Sequence, residues 1–112
     1  MFQTRSFSFL AHARKQFIVI ARDFKDAECI HRRLAVRPDH LAHAAESFEA
    51  GKIVMGGALV DEEGKMNGSV MVVDLPSKQA ADQFICGDAY VMGRVWEKWE
   101  ISEFKMARFK KE

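Results

Sequence analysis

IVMGGALVDEEGKMNGSVMVVDL, residues 53–75, holds two apolar, β-branched runs around a polar stretch with two glycines. Ile53–Val60 and Ser69–Leu75 are predicted strands, and residues 61–68 are the hairpin loop that joins them. Gly56-Gly57 interrupts the first strand. It lacks the GxxxxGK pattern of a phosphate loop, so its expected use is close backbone packing or a bulge.

Upstream of the hairpin, Arg37-Pro38 marks an expected helix boundary, because a residue before proline avoids helical angles and proline suits the first helical position. A helix is therefore predicted from Pro38 to the stop at Gly51, with Leu41, Ala44, Ala45 and Phe48 as its buried stripe. A separate short helix is predicted over residues 25–36. Phe17-Ile18-Val19-Ile20-Ala21, before it, reads as a strand buried on both faces. Downstream, Ser77 is the expected N-cap of a helix with Ala81, Phe84 and Ile85 inward and Gly87 at its end. Trp99 and Ile101 then alternate with Lys98, Glu100 and Ser102, the pattern of a half-buried last strand.

The order is β-α-β-β-α-β. The fold class is α+β: a ferredoxin-like, four-stranded antiparallel sheet with both helices on one face. The opposite face must then be bare, although the first strand is apolar on both sides and either Val70 and Val72 or Met71 and Val73 point there. A second copy packed sheet to sheet is the simplest cover, so a homodimer is expected, with higher assembly left open.

The chain has 112 residues, enough for one core, with 48% hydrophobic and 29% charged residues. Its formal charge of +1, from 17 basic and 16 acidic residues, lacks the basic excess of a nucleic-acid module. No apolar run approaches the roughly 18 residues that span a bilayer. Neither nucleic acid nor membrane is an expected partner. Cys29 and Cys86 are far apart, form no CxxC pattern, and read as buried free thiols in helices. Residues 1–16 contain no acid and carry Arg5, Arg14, Lys15 and His12 with Ser6 and Ser8. As a helix they segregate Phe2, Phe9, Leu10 and Ala13 from the basic residues, as a mitochondrial transit peptide does; an ordinary ragged N-terminus in a cytoplasmic protein is the other reading. They are set apart as an extension from a domain of residues 17–109.

Chemistry-bearing residues fall in two places. His40 lies one residue before the apolar stripe, about 100° round the helix from Leu41, at the edge of a cleft. In the first turn of a helix starting at Pro38, the positive helix end would disfavour the imidazolium and leave a base suited to neutral pH. A histidine that only packs fits the same place. Asp88 follows the helix stop at Gly87, where a carboxylate orients a histidine or simply closes a turn. Arg33 and Arg37 suit an anionic group on a substrate, or a surface ion pair.

These pieces together resemble the YciI-like (YCII-related) family of small dimeric α/β-barrel proteins. The resemblance runs from about Phe17 to Phe109 and rests on Arg37-Pro38-x-His40-Leu41, Gly57, Asp88-x-Tyr90-Val91 and Glu103-Phe104-Lys105. It implies a ferredoxin-like dimer with a His–Asp pair, His40 and Asp88, in a cleft between sheet and helix. Ala89 stands where the family usually has proline, so the turn that places Asp88 is looser than the family's. The resemblance also implies lyase or isomerase chemistry, as in dehydrochlorinases of chlorinated hydroxyquinones and in muconolactone isomerases. In that reading His40 is the base and Asp88 orients it. Arg33 or Arg37 holds the anionic or phenolic small molecule, and Gly57 and Tyr90 complete its site. No cofactor is expected. His40 and His43 are three residues apart but lack a third metal ligand, and nothing marks a haem axial ligand. A non-catalytic ligand-binding or structural homodimer is the alternative.

Overall fold

The computed structural model describes residues 14–110 and orders them as β1 (Lys15–Asp23), α1 (Cys29–Glu49), β2 (Ile53–Val60), β3 (Met66–Leu75), α2 (Lys78–Cys86), α3 (Ala89–Met92) and β4 (Trp96–Glu103). The strands form one antiparallel sheet in the order β2-β3-β1-β4, the ferredoxin-like arrangement. The expected targeting segment lies almost wholly outside the described residues. Its last two positions, Lys15 and Gln16, already belong to β1. No helix among the described residues is long and apolar enough to cross a membrane.

Side-chain alternation along β1 divides the sheet into two faces. Phe17, Val19 and Ala21 are buried and share a core with Cys29, Ala81, Ile85, Tyr90, Val95 and Ile101, so both long helices cover this face. Ile18 and Ile20 point to the other side and are only half-buried. Register decides which β3 residues join them. Ile18 lies opposite Val72 and Ile20 opposite Val70, whereas Met71 and Val73 oppose Val19 and Phe17 in the core. On the outer face Ile18, Ile20 and Val70 form a half-buried aliphatic strip, whereas Val72, of the same parity, is fully buried.

α1 departs from the sequence expectation. It is one helix of 21 residues with Pro38 inside it, where two helices meeting at Arg37 were expected. Proline at this position removes the hydrogen bond to the Leu34 carbonyl and costs about 3 kcal/mol in a helix interior. Both Leu34 and Pro38 are exposed, so water can serve that carbonyl. Arg33 before the proline and Ser47 after it are both buried, and tertiary packing on each side holds the helix through the defect. His40 consequently sits in the middle of α1 rather than in a first turn.

The expected buried stripe is also corrected. Ala44 is half-buried, but Leu41 is 46% and Phe48 60% exposed, and Ala45 is exposed. The helical period groups these residues on one face, as anticipated, but only Ala44 packs against the core, and the rest of that face looks across a gap to β2. Ala44, Ala45, Gly56, Gly57 and Ala58 put nothing larger than a methyl into the gap, and it stays open.

Elsewhere the differences are small. β3 starts at Met66 rather than Ser69, which shortens the hairpin loop, and β4 starts at Trp96. Ser77 caps α2 as expected, its side chain accepting from the Ala80 N–H at 3.1 Å. α3 was not anticipated. Cys29 is buried and its thiol is pushed up by burial, whereas Cys86 is exposed, against the expectation of two buried thiols.

Candidate functional site

Continuity of α1 through Pro38 aligns the site. At about 100° per residue, Arg33, Arg37, His40 and Ala44 fall on one stripe of an unbroken helix. This stripe faces β2 and β3 across a groove of about 630 Å³, whose walls include Arg33, Arg37, His40, Leu41, Gly57 and Tyr90.

His40 and Asp88 meet. His40 Nδ1 lies 2.7 Å from Asp88 Oδ1, with both side chains largely buried. Asp88 is itself fixed, because the same Oδ1 accepts the Tyr90 backbone N–H at 2.9 Å as the N-cap of α3. The turn-closing and the histidine-orienting readings of this aspartate are thus both true, and Ala89 in place of proline does not prevent either. A carboxylate at Nδ1 selects the tautomer that carries its proton there. Nε2 is then left with its lone pair and no protein partner among the described residues, on a ring that lines the groove. The imidazole stacks on the Tyr90 ring at 3.9 Å with an interplanar angle of 16°, and Trp96 meets it edge-on at 5.9 Å.

Arg33 is held quite differently from Arg37. Only 1% exposed, it pairs with Asp23, Nε to Oδ2 at 2.9 Å and Nη2 to Oδ1 at 3.3 Å. Nη2 also donates to the Gly68 carbonyl at 2.7 Å and to Ser69 Oγ at 2.8 Å. Nη1 reaches the Tyr90 hydroxyl at 3.4 Å, and the guanidinium carbon lies 4.5 Å from the Tyr90 ring centre. Its charge is met by Asp23, so a substrate anion would have to compete with a buried carboxylate. Arg37 is exposed, lines the groove and has no ion pair among the described residues. Burial raises the Tyr90 hydroxyl above its usual value of 10, opposed by the nearby Arg33 and Arg37 charges.

Three residues of this assembly were not singled out in the sequence: Asp23, Ser69 and Trp96. Trp96 Nε1–H donates to Ser69 Oγ at 3.1 Å, which makes Ser69 the shared acceptor of Trp96 and Arg33. Asp23 had a legible signal, since it continues the inward parity of residues 17, 19 and 21 and is therefore a carboxylate pointed into a core. His43 turns away from His40 and stacks on Phe84 at 5.7 Å. Among the described residues no group of three or more His, Cys, Asp or Glu side chains is placed to hold a metal.

Fold and site together define a small ferredoxin-like α+β domain with an Asp-anchored histidine opening onto a groove. A sequence profile of the YCII-related domain matches residues 16–105, and the chain belongs to that family. Protein YciI of Escherichia coli is 28% identical over 95 residues, covering 80% of this chain and 95% of YciI. Among solved structures, 5-chloro-2-hydroxyhydroquinone dehydrochlorinase (TftG) from Burkholderia phenoliruptrix, in complex with 2,5-dihydroxybenzoquinone, superposes with a TM-score of 0.69 at 20% identity, covering 82% of this chain and 95% of that one. A dimeric ferredoxin-like protein of unknown function from Bacteroides fragilis gives 0.51 at 10% identity, over 84% and 97%. At these identities the two structures are likenesses of fold.

Proposed function

We propose that this protein is a cofactor-free enzyme of the lyase or isomerase type acting on a small anionic or phenolic molecule. One observation carries the reading: Asp88 holds His40 by Nδ1 at 2.7 Å, which leaves Nε2 as the free base on the groove. Nε2 takes a proton from an acidic O–H or C–H of the substrate. The electron pair released either expels an anionic leaving group such as chloride or shifts a double bond. In the second case the imidazolium returns the proton at another carbon. Asp88 stabilises the imidazolium between the two events. Arg37 supplies the charge that holds an anionic substrate oxygen, and Tyr90 and Gly57 bound the site. The dehydrochlorinase of similar fold carries out a reaction of this type, and its bound quinone is a molecule of this class.

The working unit in this reading is a homodimer packed through the outer sheet face. It is supported by the half-buried aliphatic residues Ile18, Ile20 and Val70 on that face and by proteins of similar fold described as dimeric. Light scattering at micromolar concentration is expected to give twice the chain mass, and a monomer mass would refute it.

The catalytic reading is tested with 5-chloro-2-hydroxyhydroquinone as substrate and 2,5-dihydroxybenzoquinone as ligand. Chloride release by the wild type should fall by about 10²–10⁴ in His40→Ala, the usual contribution of a general base. Equal turnover in both proteins would end the proposal. Binding of the quinone without turnover would instead favour a non-catalytic ligand-binding dimer, a reading to which the tight His40–Tyr90 stack also lends support.

A further inference from the structure

The groove is much longer than the chemistry at its polar end needs. 2,5-Dihydroxybenzoquinone has ten non-hydrogen atoms; even at the roughly 30 Å³ that each molecule takes in liquid water, they would fill about half of the 630 Å³. Beyond His40 the walls turn apolar. The eleven positions from Arg37 to Phe48 carry α1 about 16 Å along its axis. In that span Leu41, Ala45 and Phe48 face Met55 across the gap, and Leu41, Phe48 and Met55 are 46%, 60% and 49% exposed. Large side chains left open to water beside a site gain about 25 cal/mol for each Å² of apolar surface that an occupant covers. The occupant must be continuous with the polar end, where among the described residues Arg37 has no ion pair and His40 Nε2 has no hydrogen-bond partner. A surface of that kind, charged at one end and aliphatic at the other, matches an amphiphile.

We propose that the natural ligand is an anionic or enolic ring bearing an apolar tail several carbons long. The head sits at Arg37 and His40, and the tail lies along Leu41, Ala45, Phe48 and Met55. This rests on the proposed function of the polar end and adds to it the substrate class. A one-ring compound is then only the head of the true substrate. The tail gives affinity and excludes water from the reacting end, while the head carries all the bonds that change.

The test compares 2,5-dihydroxybenzoquinone with its 3-hexyl derivative by calorimetry and reads the ratio of the two Kd values within each protein. A fully buried methylene is worth about fourfold in Kd and a half-buried one about twofold, so a hexyl tail in an open groove should give a ratio of about fifty. Ala45→Trp fills the apolar half from an exposed helix position, and Phe48→Ser removes its end wall. Both variants should bring the ratio down towards one. A ratio near one in the wild type would overturn the tail while leaving the head reading intact. A ratio near fifty that survives both substitutions would also overturn it, since the tail would then lie elsewhere. Binding of neither compound by the wild type would remove the proposed function, and the tail with it.

Discussion

Replacing Arg33 by methionine should destabilise the domain more than any other single surface-neutral change. Methionine keeps an apolar stem of similar length and removes only the guanidinium. Asp23, 6% exposed, is then left as a buried carboxylate without a cation, and the Gly68 carbonyl loses a 2.7 Å donor. Ser69 keeps Trp96 but loses Arg33. Breaking a buried pair from one side costs about 3–5 kcal/mol, because the surviving charge is stranded in low dielectric. For a domain of this size that lowers Tm by about 15–20 °C. Urea titration followed by tryptophan fluorescence would measure it, since of the two indoles Trp96 is buried and bonded to the same serine. The double variant Asp23→Asn/Arg33→Met should recover about 1–3 kcal/mol relative to the sum of the singles, as expected of residues sharing one interaction. A loss below about 1 kcal/mol for Arg33→Met would refute the buried pair. Additive singles would show that the two residues stabilise the fold independently.

Tyr90 is the chain's one tyrosine, so absorbance at alkaline pH reports it alone. Its folded-state pKa is raised by burial, hence the stability it contributes is present below the unfolded value near 10 and is lost as pH climbs through the folded value. Ionisation should therefore begin above pH 10 together with unfolding, and Tyr90→Phe should remove that alkaline slope; a titration centred at or below 10 in the native protein would contradict this. Pro38→Ala restores the bond to the Leu34 carbonyl at an exposed helical site and should raise stability by about 1–2 kcal/mol, after allowing for the stiffer unfolded chain that proline provides. Gly68→Ala brings a Cβ to 2.6 Å from the Ala21 carbonyl oxygen and 3.0 Å from Leu59 Cδ1 and should cost about 1–3 kcal/mol by urea titration; an unchanged midpoint would mean the strands give way freely there.

Legibility in the sequence followed the range of the forces involved. Alternation and glycine punctuation are local, so the hairpin, β1 and the Ser77 cap could be read directly. The break at Pro38 was a correct local preference overruled by distant contacts: Arg33 is tied to β1 and β3, His40 to the α3 cap, and only a continuous helix satisfies both. Helical period likewise identified Leu41, Ala44, Ala45 and Phe48 as one face, but period cannot say whether a face meets a core or a gap. Here small residues on the opposing strand decided the matter. α3 is a four-residue turn, too short to show a period at all. The His40–Asp88 meeting was expected only from resemblance, because the two are 48 positions apart with three elements between them.

Tyr90 explains why the acid–base pair and the buried ion pair cannot be treated as separate features. Its backbone N–H fixes Asp88, its ring stacks on His40, and its hydroxyl reaches Arg33. Asp88 Oδ1 is thereby held from the main chain before it accepts the imidazole, and the imidazole plane is set by a ring that Arg33 and Asp23 brace from within the core. Orientation at Nε2 is then a consequence of core packing, with no loop motion required to assemble it. A perturbation at Asp23, which does not itself line the groove, should accordingly propagate to the histidine through Arg33 and Tyr90. In the proposed function, binding of a ring at the polar end is therefore coupled to the same interactions that hold the fold together.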